Sequence, residues 1–99
     1  MICTVADIID AVAHVSDVSR HEILSRRQQS RPVRARQLVC WLAKRYTLMS
    51  YPAIGRAMGD RDHTTVMYSE RHWDVYRDFL PYGEWESAAV ARLEASGVA

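Results

Sequence analysis

The sequence predicts an all-α fold, a small bundle of helices that contains a helix-turn-helix. Three observations support this prediction. Apolar residues recur at helical spacing along most of the chain, and residues that commonly cap helix N-termini precede these apolar stretches. No segment alternates apolar and polar residues as a half-buried β-strand does.

The first two predicted helices and a basic loop fill residues 4–31. Thr4 is expected to cap a helix that ends within 14–17, with Asp7 in the capping-box position and an apolar stripe of Val5, Ile8, Ile9 and Val12. Ser19 is expected to cap a short helix, with Glu22 in the box position and Ile23 and Leu24 buried. Residues 25–31 lack an apolar anchor and are predicted to form the loop.

A third helix is predicted to start near Pro32, which suits a first helical turn, and to end near Tyr46. Its apolar side would carry Val33, Leu38, Val39, Leu42 and Tyr46. Its other face, expected to be exposed, would carry Arg34, Arg36, Gln37, Lys44 and Arg45.

The remaining helices follow from their caps and breakers. Ser50 should cap a short helix over about 51–58, and Gly59 suits the left-handed residue after its end. Asp62 should cap a long helix to about Leu80, whose apolar positions are Val66, Trp73, Tyr76 and Leu80. Residues 81–83 should break it, and a last helix over 84–95 would have Trp85, Val90 and Leu93 as its apolar positions.

Basic side chains are concentrated in the middle of the chain, although the 99 residues together have a formal net charge of only +1. Residues 20–77 carry twelve Lys and Arg against five Asp and Glu, whereas 1–19 and 78–99 are acidic. This segregation favours a negatively charged partner. Charge alone leaves open the alternative of an ordinary solvated surface.

Several classes of protein are excluded because their patterns are absent. No apolar run approaches the roughly 18–20 residues that cross a membrane, and no basic segment typical of a secretory signal opens the chain. Metal-ligand spacings and phosphate-binding glycine loops are missing, so we expect no metal, no nucleotide and no other cofactor. Two separated thiols, Cys3 and Cys40, indicate a reduced, cytoplasmic protein.

Residues 50–73 have the pattern of a helix-turn-helix, in which the second helix enters the DNA major groove N-terminus first. That N-terminus is Arg61-Asp62-His63-Thr64-Thr65, and each of these side chains can donate or accept hydrogen bonds. The pattern therefore predicts contact with DNA. The alternative is that Asp62 and Thr64 only cap a helix and that His63 is an ordinary surface histidine.

The segment Ile54-Gly55-Arg56-Ala57-Met58-Gly59-Asp60-Arg61-Asp62-His63-Thr64-Thr65-Val66 resembles the signature of domain IV, the C-terminal DNA-binding domain of the bacterial replication initiator DnaA. Upstream, Ala35-Arg36-Gln37, Leu42-Ala43-Lys44 and the stretch from Val18 to Arg27 are similar to the same domain. The resemblance covers about residues 5–73. It implies a Trp-repressor-like helical domain, which we assign to residues 1–80, and the acidic residues that follow predict a helical tail over 81–99 that packs on the domain or extends from it.

The resemblance also implies the ligand, duplex DNA with a DnaA-box-like site, and the roles of individual residues. It assigns contacts with base edges to Asp62, His63, Thr64, Tyr51 and Pro52. It places Arg36, Gln37, Lys44, Arg61 and Thr65 near the phosphate backbone.

The sequence departs from the family at three places. Gln28 stands where the family supplies an arginine to the minor groove, so either Arg27 or Arg31 substitutes for it or minor-groove recognition is weakened. Tyr51 replaces the usual Leu, and its hydroxyl could shift the preference at one base pair. His72 and Trp73 differ from the usual types, and Trp73 is expected to pack in the core.

Two hypotheses about function follow. The first is a DNA-binding regulator of replication initiation or transcription, associated with the nucleoid, which competes with or contacts the initiator. Since the resemblance covers the DNA-binding module without the initiator's ATP-binding domain, we expect a free-standing small protein, and the alternative is a fragment of a longer one. The second is an interaction protein that docks on the initiator or its partners, suggested by Gln28, the tail and an exposed-looking Trp85. Catalysis is not expected, because no carboxylate pair or oxyanion-type loop accompanies His63.

Overall fold

A computed structural model describes residues 3–97, so the outermost residues of the expected 1–80 and 81–99 segments lie outside it. Within the described range the chain forms helices and no strand, which confirms the all-α prediction. The six helices are α1 (Val5–Ser16), α2 (Arg20–Leu24), α3 (Ser30–Tyr46), α4 (Tyr51–Ala57), α5 (His63–Tyr76) and α6 (Tyr82–Ala95).

The predicted helix caps are present. Thr4 and Asp7 form a reciprocal capping box at α1, and Ser19 and Glu22 form another at α2. At α4, Ser50 Oγ accepts a hydrogen bond from the Ala53 amide at 3.2 Å. These bonds satisfy amides that have no partner within the helix, so α1, α2 and α4 each begin directly after their cap residue.

Helix α3 lies at the centre of the fold, where it contacts α1, α2, α4 and α5. Leu38, Val39 and Leu42 are fully buried, and so is Trp73 of α5, as predicted. The helix begins at Ser30, two residues before Pro32, which still lies in its first turn. The basic loop is correspondingly shorter than predicted.

The predicted extension of α5 to Leu80 is wrong. The helix ends at Tyr76, and the Leu80 side chain is 78% exposed. Pro81 has no amide hydrogen for a helical bond and disfavours helical geometry at the residue before it, so residues 77–81 form turns instead. Helix α6 then starts at Tyr82, two residues earlier than predicted.

Helix α6 packs against α1 and contributes Trp85, Ala89 and Leu93 to the common core. Trp85 is only 6% exposed, so it packs in the core as an apolar position of the last helix, and the exposure that suggested a docking role is absent. The centroids of the Tyr82 and Trp85 rings lie 5.1 Å apart, and the Arg31 guanidinium lies 5.4 Å from the centroid of the Trp85 ring. The tail thus forms part of the same packed body as the other helices.

None of the helices within residues 3–97 combines the length and the apolar character needed to cross a membrane.

Candidate nucleic-acid interface

The turn between α4 and α5 is held close to α4. Gly59 and Asp60 both have positive φ angles, 82° and 57°, which reverse the chain after α4. The Arg61 amide then donates to the Gly55 carbonyl oxygen at 2.8 Å. A Cβ atom at Gly55 would lie 2.1 Å from the Arg61 carbonyl oxygen, so only glycine allows this approach.

Helix α5 begins with an exposed polar tip, formed by Asp62, His63, Thr64 and Thr65. Asp62 Oδ1 accepts from the Thr64 amide and from its hydroxyl, both at 2.9 Å. These hydrogen bonds lower the pKa of Asp62. His63 Nδ1 lies 3.2 Å from the same carboxylate oxygen. The tip is therefore both capped and open to solvent, so the capping interpretation and a role in binding are compatible.

Arg61, which precedes the tip, is turned into the protein. Its guanidinium donates to the main-chain oxygens of Leu24, at 3.5 Å, and of Ser25 and Met58. Burial lowers its pKa to about 10, and the nearby Arg36 and Arg26 charges act in the same direction. Arg61 thus joins the basic loop to the helix-turn-helix.

The expectation that Arg36 and Gln37 lie on an exposed face of α3 is wrong, since they are only 8% and 5% exposed. Arg36 Nε donates to the Ile23 carbonyl oxygen at 2.6 Å, and its Nη2 donates to the Arg27 carbonyl oxygen at 2.9 Å. Burial also lowers the pKa of Arg36. Because other helices and the basic loop surround α3, its polar side is covered at Arg36 and Gln37, whereas Arg45 stays exposed.

The three candidates for minor-groove contact in the basic loop differ in what they bind. Arg31 donates to the Ser16 carbonyl oxygen and lies over Trp85, so it is engaged within the protein. Gln28 is exposed and donates to the Arg26 carbonyl oxygen at 3.3 Å. Arg27 is exposed, and its guanidinium makes no hydrogen bond to any residue in the described part of the chain.

A crevice of about 290 Å³ separates the basic loop from the N-terminus of α5. Arg26, Arg36 and Arg61 line it together with Thr65. Arg26 also donates to the Gly59 carbonyl oxygen at 2.9 Å, which ties the loop to the turn. The three guanidinium groups outnumber the carboxylates of Asp60 and Asp62, which also line the crevice, so its lining has a net positive charge that suits phosphate.

The start of α4 lies beside α5 through a contact that the sequence did not predict. The Tyr51 hydroxyl donates to Glu70 Oε1 at 2.6 Å. Lys44 of α3, half-buried, places its Nζ 4.4 Å from the centroid of the Tyr51 ring. Pro52, next along α4, is exposed. No spacing pattern signals Glu70, because it is 19 residues from Tyr51 in the chain.

Sequence comparisons identify the family to which this arrangement belongs. A family model described as the bacterial dnaA protein helix-turn-helix matches residues 5–72. The chromosomal replication initiator protein DnaA of Xanthobacter autotrophicus is 47% identical over 70 residues, or 71% of this chain and 14% of that protein. The proteins of the same name from Rhodopseudomonas palustris strain BisB5 and Nitrobacter hamburgensis are each 48% identical over 67 residues, or 68% of this chain and 14% of each relative. The chain thus spans about one seventh of the length of these relatives. Since the family model matches well over half of it, the chain belongs to the bacterial dnaA protein helix-turn-helix family.

Proposed function

We propose that the chain binds double-stranded DNA at DnaA-box-like sites and so regulates replication initiation or transcription. The observation that carries the proposal is the polar tip of α5, where Asp62, His63 and Thr64 are exposed within one helical turn. A helix fits the B-DNA major groove, and these side chains offer donors, acceptors and a methyl group to base edges. Membership of the family supports the same conclusion.

Tyr51 and Pro52 form the second group of proposed base contacts. They occupy the first turn of α4, and Tyr51 is linked directly to α5 through Glu70. A duplex that receives the tip of α5 would therefore meet the start of α4 as well. Tyr51 is half-buried and Pro52 exposed, so both present surface to a ligand.

Phosphate contacts are proposed for the side of the interface that faces the crevice. Thr65 is exposed there, and Lys44 is half-buried at the side of Tyr51. Arg36, Gln37 and Arg61 are engaged within the protein, so they would contribute through the positive or polar surface that they present at the crevice. The two arginines would also contribute through the loop position that they fix.

For the minor groove we propose Arg27 as the contacting residue. Its guanidinium is exposed and uncommitted among the described residues, whereas that of Arg31 is bound to Ser16 and Trp85. A narrow A/T-rich minor groove attracts an arginine through its negative potential. Gln28, which is neutral and shorter, would lie beside this contact.

The biological consequence that we propose is competition with the DnaA initiator for shared sites, in the cytoplasm and on the nucleoid. A docking protein with reduced DNA binding is the second candidate function. The exposed Val75, Phe79 and Leu80 favour it, at 61%, 59% and 78% exposure. The burial of Trp85 removes one of the observations that suggested the docking function.

Fluorescence anisotropy tests the proposal with a duplex that carries two DnaA boxes and a scrambled duplex of the same composition, each at two salt concentrations. We expect a preference of about tenfold or more for the boxes. This threshold is modest because single modules discriminate less than dimers do. Equal binding to both duplexes would contradict sequence specificity, and no binding to either would leave the docking function.

His63→Ala identifies the surface used. It should remove about 1–3 kcal/mol of box affinity and leave binding to the scrambled duplex nearly unchanged. The matched control is His14→Ala, because His14 is also exposed but lies on α1. An equal effect of both substitutions would contradict binding through the tip of α5.

A further inference from the structure

Glu70 connects three helices at the edge of the proposed interface. Its Oε1 accepts the 2.6 Å hydrogen bond from the Tyr51 hydroxyl of α4, and its Oε2 accepts from Arg45 Nη1 of α3 at 3.1 Å. The Glu70 side chain is only 19% exposed. Both carboxylate oxygens are therefore committed within the protein.

The phenol proton of Tyr51 is consequently not free. A short hydrogen bond to an ionised carboxylate is about twice as strong as one between neutral groups, so an exchange for a base acceptor is unfavourable. Lys44 covers the Tyr51 ring at 4.4 Å and donates to the Met49 carbonyl oxygen at 3.4 Å. The orientation of the ring is thus fixed from α3 and from α5.

We propose that Glu70 is a positioning residue that sets the base preference of Tyr51, because it holds the phenol proton and leaves the ring carbons to contact DNA. Ring carbons favour an apolar partner such as the thymine methyl group, whereas a free hydroxyl would favour an acceptor on a base edge. The inference rests on the proposed function and concerns the one or two base pairs that the start of α4 would contact. It also means that the replacement of the usual Leu by Tyr51 preserves apolar recognition instead of adding a polar contact.

The experiment compares four variants on one panel of duplexes, a DnaA-box duplex and its single base-pair substitutions. Tyr51→Phe removes only the hydroxyl and keeps the ring carbons, so we expect the same ranking of the base-pair substitutions as in the wild type, whatever the change in overall affinity. Glu70→Ala frees the hydroxyl, and we expect a change of about threefold or more in preference at one base pair, the size of one hydrogen bond. Glu70→Gln keeps an acceptor for the Tyr51 hydroxyl and should therefore show the wild-type profile. The double variant Tyr51→Phe/Glu70→Ala should also show the wild-type profile, because it has no hydroxyl to release.

Each alternative result overturns the inference. A changed base preference in Tyr51→Phe would mean that the hydroxyl already contacts a base. An unchanged profile in Glu70→Ala, or a change that persists in the double variant, would mean that Glu70 does not act through the hydroxyl. If Glu70→Ala does not fold, a changed base preference in Tyr51→Phe or in Glu70→Gln still overturns the inference. Absence of box binding by the wild-type chain would instead overturn the proposed function, so the two failures are distinguishable.

Glu84→Ala is the matched control, since Glu84 is an exposed glutamate on α6. It removes the same charge from the chain without touching Tyr51. We expect its base-preference profile to equal that of the wild type. A change like that of Glu70→Ala would show that net charge, and not the release of the hydroxyl, alters the preference.

Discussion

The indole nitrogen of Trp73 donates a hydrogen bond to Glu86 Oε1 at 2.8 Å, which joins α5 to α6. The same carboxylate accepts two hydrogen bonds from Arg77, from Nε at 2.9 Å and from Nη2 at 2.6 Å. Trp73 is fully buried, and the Glu86 side chain is 16% exposed. The helix that carries the polar tip is therefore attached at its other end by a polar contact inside the fold.

Glu86→Ala should lower the free energy of unfolding by about 1–3 kcal/mol, because it leaves the buried Trp73 N–H and the Arg77 guanidinium without their acceptor. Urea unfolding followed by tryptophan fluorescence measures this loss. Glu94→Ala is the control, since Glu94 is exposed on the same helix. Equal stability of the two variants would contradict a structural role for the Trp73–Glu86 bond.

The stability that Glu86 contributes should depend on pH. Burial disfavours its charged form, but the hydrogen bonds from Arg77 and Trp73 outweigh burial and hold its pKa below the ordinary 4.5. A lowered pKa in the folded state means that the contribution is present above 4.5 and is lost as the pH falls through the folded value. The difference in unfolding free energy between the wild type and Glu86→Gln should shrink in that acid range. A difference that is constant down to strongly acid pH would contradict this assignment.

Gly55→Ala should destabilise the protein by about 1–3 kcal/mol or more, because the added methyl group has no space in the turn. Its carbon would lie 2.1 Å from the Arg61 carbonyl oxygen, and a main-chain atom cannot move aside as a flexible side chain can. The polar tip should shift with the turn, so box binding should fall as well. Ala57→Ser, an exposed position on α4, adds one atom and should change neither property. Thermal unfolding and anisotropy measure the two effects.

Arg27→Ala and Arg31→Ala should separate binding from stability. Arg27→Ala should weaken box binding and lower the slope of log affinity against log salt concentration by about one. The free energy of unfolding should not change, because the Arg27 guanidinium is exposed. Arg31→Ala should lower stability instead, since it removes the contacts with Ser16 and Trp85. The opposite pattern, with affinity lost only in Arg31→Ala, would transfer the minor-groove role to Arg31.

The features that were predictable from the sequence are those whose partners are near in the chain. The pairs Thr4–Asp7 and Ser19–Glu22 are three residues apart, so their spacing alone identified the caps of α1 and α2. The end of α5 was predicted too late because Leu80 continues the apolar spacing. The effect of Pro81 on the preceding turns overrode that spacing.

The features that were missed depend on partners that are distant in the chain. Arg36 fits the pattern of an exposed basic face, but its acceptors are main-chain oxygens that carry no signal in the sequence. The contact of Tyr51 with Glu70 likewise depends on how α4 lies against α5. The tip residues 62–65 were expected at the surface, and they are exposed, because helix capping fixed their position locally.

Arg36 and Arg61 hold the end of α2 and the basic loop through main-chain carbonyl oxygens, and every amino acid type supplies such an oxygen. Replacement of the side chains at Arg27 or Gln28 therefore leaves both attachments intact. The loop can acquire new side chains, and with them new minor-groove preferences, without a new way of folding. Diversity in DNA preference among chains of this kind is thus expected to accumulate in the loop, while the two arginines that hold it are the positions least free to change.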